Sequence, residues 1–263
     1  MKVKIKKEGK QKNYNLIASW SDVTLEKWLK VIDLETGSKT KEAQETIAAV
    51  SDIPKKLIKE LPLRDVAVIM NKIAELQSEQ NTTLKKTFKI DGVEYGMHPD
   101  LSEITLGEYA DIETFIKDGL EKNMPEIMAV LFRPITEQTD TGVYIIKAYD
   151  GNIKIRAEQF KKMSAEQFQS ALFFFLEFRE SICKDFAIIF EGTDSGNNEG
   201  LTDGNFAERW GYFGLMYRLT NGEIVNLERV SRLNLLEAFT WLSYETDLNL
   251  QNKVQTNDKQ QNL

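Results

Sequence analysis

The run Thr87-Phe88-Lys89-Ile90-Asp91-Gly92-Val93-Glu94-Tyr95, followed downstream by Ile104-Thr105-Leu106-Gly107-Glu108-Tyr109, carries both halves of the fold. Asp91-Gly92 stands between alternating polar and apolar residues. Both residue types tolerate positive φ, which a tight hairpin turn requires. Thr105 and Glu108 have the spacing of a capping box, in which a hydroxyl accepts the N3 amide and a carboxylate reaches back to the cap. Tyr109, Ile112 and Phe115/Ile116 then recur at helical spacing. The stretch predicts a hairpin leading into a capped helix.

The same order occurs upstream. Lys2-Val3-Lys4-Ile5-Lys6 alternates, Gly9 marks a turn, and Tyr14 to Ala18 reads as the returning strand. Thr24 is placed to cap a helix bearing Leu25, Trp28 and Leu29. Val23-Thr24-Leu25-Glu26-Lys27-Trp28 also aligns with Ile104 to Tyr109. Each has a β-branched residue, Thr, Leu, two variable positions and an aromatic. One explanation is a repeated hairpin-helix unit, at 2–34 and 86–118, whose hairpins pair or face each other across a pseudo-twofold. Chance is the other, since six positions are few.

Periodicity predicts further helices over 41–50, from Pro54, and over 64–77. Another runs from Met124 to Phe132, where Arg133-Pro134 stops it. Ser164 and Gln167 form a capping box for the longest helix, which runs to about Phe190. Leu172 to Phe178 make that helix apolar nearly all round, which predicts burial on several sides. Asn205 with Glu208, and Asn234 with Glu237, open the last two long helices. Residues 135–152 read either as a short strand at 143–146 or as one long loop. The expected fold is α+β and predominantly α-helical, with two small β-hairpins, each leading into a helix, packed on a helical body. The expected division is 1–80, then 84–250, then a disordered polar tail over 251–263, with Ser78 to Thr83 as a linker.

Composition narrows the function. Of 263 residues 41% are hydrophobic and 29% charged, the balance of a globular chain rather than a disordered or membrane-embedded one. A net charge of −7 disfavours general nucleic-acid binding, which draws on a basic face. Lys2 to Lys12 is a local exception, read as an edge strand whose lysines block pairing. The apolar stretch Ala171 to Phe190 holds Glu177, Arg179, Glu180, Lys184 and Asp185, too many charges for a membrane span. No apolar segment follows the basic N-terminus, so no secretory signal is read there. One cysteine and one histidine allow neither an intrachain disulfide nor a Cys/His zinc cluster. A cytosolic setting is expected.

No catalytic motif emerges. Gly211 to Gly214 lies within a predicted helix, so it cannot cradle a phosphate. His98 has no acid or nucleophile partner in sequence, and Cys183 reads as a core thiol. The acids of the Glu191 to Gly204 loop match no cation cage, so a flexible connection is the expectation there. Asp100 with Glu103, and Asp111 with Glu113, read as solvated. No catalytic, cofactor or metal-binding residue is assigned. Aromatics are the exception to this blandness. Phe206, Trp210, Phe213 and Tyr217 form one stripe, expected to face the core, with Tyr212 and Met216 off it. Phe239, Trp241, Leu242 and Tyr244 lie on more than one side of the last helix. The surplus points to an interface, so the candidate partner-binding residues are Trp210, Tyr212, Phe213, Met216, Tyr217, Trp241 and Tyr244.

Four stretches carry a family likeness: Ile104 to Tyr109, Met128-Ala129-Val130-Leu131-Phe132-Arg133-Pro134, Ala171-Leu172-Phe173-Phe174-Phe175, and Arg209-Trp210-Gly211-Tyr212-Phe213. Their order and spacing, over about residues 14 to 245, resemble tailed-bacteriophage tail assembly chaperones and baseplate-hub assembly proteins. The resemblance implies a non-enzymatic phage protein that binds tail, hub or other virion proteins. Such a protein acts either transiently, as a chaperone in the host cytoplasm, or as a retained virion part such as a connector or ring subunit. It implies no cofactor, membrane or nucleic-acid partner, and leaves homo-oligomerisation open. A catalyst is the third, remote class.

Overall fold

The structure is a computed structural model. It describes residues 1–7, 9–32, 34, 37–77, 83–191 and 203–261, with side chains described for all of these except 7, 76, 77, 191, 203–208 and 253–261. In chain order the elements are β1 (Lys2–Lys7), β2 (Lys10–Asn15), α1 (Leu25–Ile32), α2 (Lys39–Ala49), α3 (Lys55–Glu60) and α4 (Leu63–Gln77). Next come β3 (Thr87–Ile90), β4 (Val93–Met97), α5 (Leu106–Lys117), α6 (Met124–Leu131), β5 (Phe132–Gln138) and β6 (Tyr144–Ile146). The chain continues through α7 (Ile153–Phe160), α8 (Ala165–Asp185), α9 (Ala187–Glu191), α10 (Asp203–Leu219), α11 (Leu227–Ser231) and α12 (Leu235–Gln261). The class is α+β and mostly helical.

Both hairpins form, but they do not pair. β1 and β2 make a two-stranded sheet, while β3 and β4 begin a four-stranded antiparallel sheet in the order β3-β4-β5-β6. Asp91 and Gly92 take φ of 50° and 84°, as their turn demands. Strand β2 starts earlier than Tyr14, because Lys10 to Asn13 are polar and exposed and leave no apolar signal. The ambiguous 135–152 region supplies strands β5 and β6, with a bulge between Ile135 and Glu137. Tyr144 on β6 reaches across to donate its hydroxyl to the Met97 carbonyl at 2.9 Å. Its ring occupies the space above Gly96, where a Cβ would meet Tyr144 Cε2 at 2.5 Å.

The chain divides into two compact units, 1–97 with 115–174, and 98–114 with 175–263. This differs from the expected break at 80–84. Composition reveals exposed linkers, whereas these boundaries also fall inside α5 and α8, which carry no linker signal. The linker residues 78–82 lie outside the described residues. The tail is also different: α12 continues helically to Gln261 instead of ending near Leu248.

Each unit is organised around one repeated device. In the first, Leu25 N donates to Met163 O and Ala165 N to Val23 O, both at 2.7 Å. In the second, Leu106 N donates to Leu233 O and Leu235 N to Ile104 O, both at 2.9 Å. These are antiparallel bridges between the N-cap residues of two helices, Thr24 with Ser164 and Thr105 with Asn234. The first amide of a helix has no intrahelical acceptor. Here each helix start satisfies the orphan amide of the other. All four sites read apolar, cap, apolar: Val23-Thr24-Leu25, Met163-Ser164-Ala165, Ile104-Thr105-Leu106 and Leu233-Asn234-Leu235. The four residues after the caps are all fully buried. Bringing two positive helix ends together is unfavourable, and Glu26, Glu166, Glu108 and Glu237 place an acid in every first turn. The sequence repeat at 23–28 and 104–109 is therefore the first member of each bridged pair.

Aromatic packing follows from the bridges. In the first unit Trp28 meets Phe168 edge to face at 5.0 Å, each one turn beyond its cap. Phe88, Tyr95, Phe132 and Phe160 form a second cluster there, with neighbouring centroids from 5.0 Å. In the second unit Tyr109 contacts Phe175, Phe178, Tyr212 and Phe239. Helix α7 was not expected, although Ile153, Ala157 and Phe160 have helical spacing and bury one face. The capping chemistry sets a ranking. Thr105 Oγ1 accepts from the Glu108 amide, and Glu108 Oε2 accepts from both Thr105 N and Oγ1, at 2.8 and 2.9 Å. Thr24 has the forward bond alone, from the Lys27 amide at 3.3 Å. Thr105→Ala is expected to cost about 1–2 kcal/mol in urea unfolding, and Thr24→Ala clearly less. Equal costs would contradict the reciprocal cap.

Candidate protein-binding surface

The candidate residues lie on α10 and α12, both in the second unit. Helix α12 begins at the Asn234 cap, whose Oδ1 accepts from the Leu236 and Glu237 amides. Leu235, Ala238, Phe239 and Leu242 recur three or four residues apart and are fully buried, so they form its inner face. Trp241, Tyr244 and Leu248 share the opposite face, with Trp241 65% and Tyr244 63% exposed.

Helix α10 is interrupted at Gly211, where φ is 46° and ψ −128°. Glycine alone adopts such a backbone without penalty. Beyond the interruption Met216 and Thr220 are buried, and Tyr212, Leu215 and Leu219 are half-buried. Trp210, Phe213 and Tyr217 are exposed, at 45, 48 and 59%. The expected orientation is therefore reversed. The stripe assigned to the core faces water, and Tyr212 and Met216, read as surplus, turn inward. Spacing groups Trp210, Phe213 and Tyr217 on one face, but periodicity alone does not say which face is inside. Phe206, together with the Asn205 and Glu208 cap, has no described side chain.

Polar contacts fix α10 against α12. Arg218 donates to Glu245 Oε2 at 2.8 Å and to Thr246 Oγ1 at 2.9 Å. Trp210 and Phe213 lie 5.7 Å apart, with Arg209 above the Trp210 ring at 5.9 Å. Both helices thus display an aromatic or aliphatic triplet at i, i+3, i+7: Trp210-Phe213-Tyr217 and Trp241-Tyr244-Leu248. Leu248 was missed in the sequence, though its spacing from Trp241 and Tyr244 was readable. Ile224 and Val225, in the turn after α10, are also highly exposed. Phe173 and Phe174 of α8 are exposed as well, against the burial on several sides expected for that helix.

Inward from the surface sits a polar cluster. Arg179 holds the buried Glu113 carboxylate with two bonds, Nε to Oε1 at 2.5 Å and Nη2 to Oε2 at 3.0 Å. Glu113 is thus not the solvated acid its sequence neighbourhood suggested. Its long-range partner could not be read locally. The Glu113 hydrogen bond raises Arg179 further above its already high range. Burial pushes the Tyr109 and Tyr212 hydroxyls well above the ordinary phenol value. Cys183 is half-buried instead of core, and burial pushes its thiol up as well. His98 is half-buried.

Among the described residues, no three His, Cys, Asp or Glu side chains could hold a metal ion, and no helix is long and apolar enough to cross a membrane. The acids at 192–202 lie outside the described residues, and with them most of the cation-binding possibility considered for that loop. Comparisons with protein-family models, curated proteins and solved structures return no match for this chain.

Exposed and buried rings make opposite predictions for stability. Trp241→Ala and Tyr244→Ala are expected to change unfolding free energy by no more than about 0.5 kcal/mol. Phe239→Ala, on the buried face of the same helix, should cost about 3–5 kcal/mol. Chemical denaturation of the purified chain checks both. A large loss at Trp241 would mean that its ring is structural.

Proposed function

We propose that this chain is a non-enzymatic morphogenesis protein of a tailed bacteriophage, binding a tail or baseplate component during assembly in the manner of a chaperone. The observation that carries the binding reading is the exposure of Trp210, Phe213, Tyr217, Trp241 and Tyr244 on outward helix faces. Leaving a ring such as Phe213 in water forgoes about 1.5–3 kcal/mol relative to burying it. A partner surface that covers the ring recovers this energy. Trp and Tyr are also the residues over-represented at energetically dominant interface positions.

The phage context comes from the sequence resemblance. The four motif stretches contribute unevenly to the two roles. Met128 to Phe132 and Phe175 are buried and serve the fold. The Arg209 to Phe213 stretch contributes two of the exposed rings.

The test follows the protein's fate. Mass spectrometry of purified particles is expected to find the chain absent, while affinity purification from infected cells should recover it with an unassembled tail or baseplate protein. Abundance in the particle at a symmetric copy number would replace the chaperone with a structural subunit.

A further inference from the structure

The first unit holds a second surface, unrelated to the rings of α10 and α12. Sheet β1–β2 pairs Val3 with Tyr14 and Ile5 with Lys12, so these four side chains share one face. That face and helices α3 and α4 enclose two adjoining hollows of about 370 and 420 Å³. Ile5, Leu57 and Glu60 line both, which makes them one continuous groove. Its floor is apolar. Ile5, Tyr14, Pro54 and Leu57 line the first hollow, and Val3, Leu61 and Ile69 extend the second.

The rim is cationic. Lys10, Lys12 and Lys56 line the first hollow, and Lys4 and Lys6, which alternate onto the other face of the hairpin, border the second, against two acids, Glu60 and Asp65. All five lysines are exposed. Among the described residues none of the five holds an ion pair, although Lys30, Lys55, Lys85 and Lys147 each do. Lys12 instead lies over the Tyr14 ring, at 5.3 Å. Five lysines with no ion pair among the described residues stand out in a chain of net charge −7.

We propose that this groove docks an acidic polypeptide segment anchored by apolar side chains. Charge complementarity selects the acid, and the aliphatic floor selects a peptide over other polyanions. Nucleic acid favours aromatic stacking platforms on a basic protein. Here the one ring on the floor, Tyr14, is buried under Lys12, and a net charge of −7 disfavours a long polyanion. A lipid surface suits a protruding face rather than a groove. A short acidic segment meets only the local cations, because charges beyond about 8 Å are screened at physiological salt. The edge-strand role of these lysines is retained, since blocking strand pairing and attracting an acidic ligand use the same charges.

The test uses the full chain and a fluorescein-labelled peptide in which Glu alternates with Leu and Phe, followed by fluorescence anisotropy. Saturable binding is expected, weakening with added salt. The triple variant Lys10→Glu/Lys12→Glu/Lys56→Glu should weaken it at least about tenfold, as should removing the floor with Leu57→Gln, each worth about 1.4 kcal/mol or more. Circular dichroism melts identify any variant that has lost its fold, and the exposed lysine variant is expected to melt normally. Trp241→Ala should bind the peptide unchanged, which separates this groove from the ring surface. The proposal is overturned by no saturable binding or by binding indifferent to the lysine reversal. It is also overturned if oligothymidine or phosphatidylserine vesicles bind in a lysine-dependent way more tightly than the peptide.

Discussion

Two helices that begin face to face, each accepting the other's first backbone amide, form the constraint on which the rest of the fold depends. A helix start normally leaves its amides to water or to a side chain. In this protein Val23 and Met163, and again Ile104 and Leu233, offer carbonyls to those amides. The arrangement joins helices that are distant in sequence, α1 to α8 and α5 to α12. It buries the residues on either side of each cap, of which Leu233 alone is half-buried. It also tolerates the juxtaposed helix dipoles because a glutamate stands in each first turn. Trp28 with Phe168, and Tyr109 with Phe239, then pack close beyond the bridges.

The parts of the fold encoded by near neighbours were legible in sequence. Asp91-Gly92 specified its hairpin, Thr105 with Glu108 its cap, and Ser164 with Gln167 another. Two of the four bridged caps were visible as an internal repeat. The pairing itself was not, because a backbone bridge between Thr105 and Asn234 leaves no local trace. Long-range geometry hid other features for the same reason. Glu113 looked solvated until Arg179 was placed beside it, and the compact units could not be drawn from linkers when their boundaries cross α5 and α8. Strands β5 and β6 were obscured by a bulge and by the short length of β6.

The candidate surface shows that periodicity finds a helix face but not which way it points. Spacing grouped Trp210, Phe213 and Tyr217 on one face and assigned that face to the core, leaving Tyr212 and Met216 as the surplus. Helix α10 breaks at Gly211, and beyond it Met216 takes the inner position while the rings point to water. On α12, which has no such break, Phe239 is buried while Trp241 and Tyr244 are exposed. The two helices therefore present matching triplets on a scaffold tied by Arg218, Glu245 and Thr246. A scaffold fixed by polar contacts and displaying exposed rings is the feature on which the proposed binding role rests.

The central claim is that the face of α12 bearing Trp241 meets a protein partner during phage assembly. Site-specific photocrosslinking tests it most directly. A benzophenone amino acid at position 241, irradiated in infected cells, should give an adduct with a tail or baseplate protein. The same group at position 155, where Ile155 is 73% exposed on α7, should give none. No adduct from position 241, or equal adducts from both positions, would contradict the account.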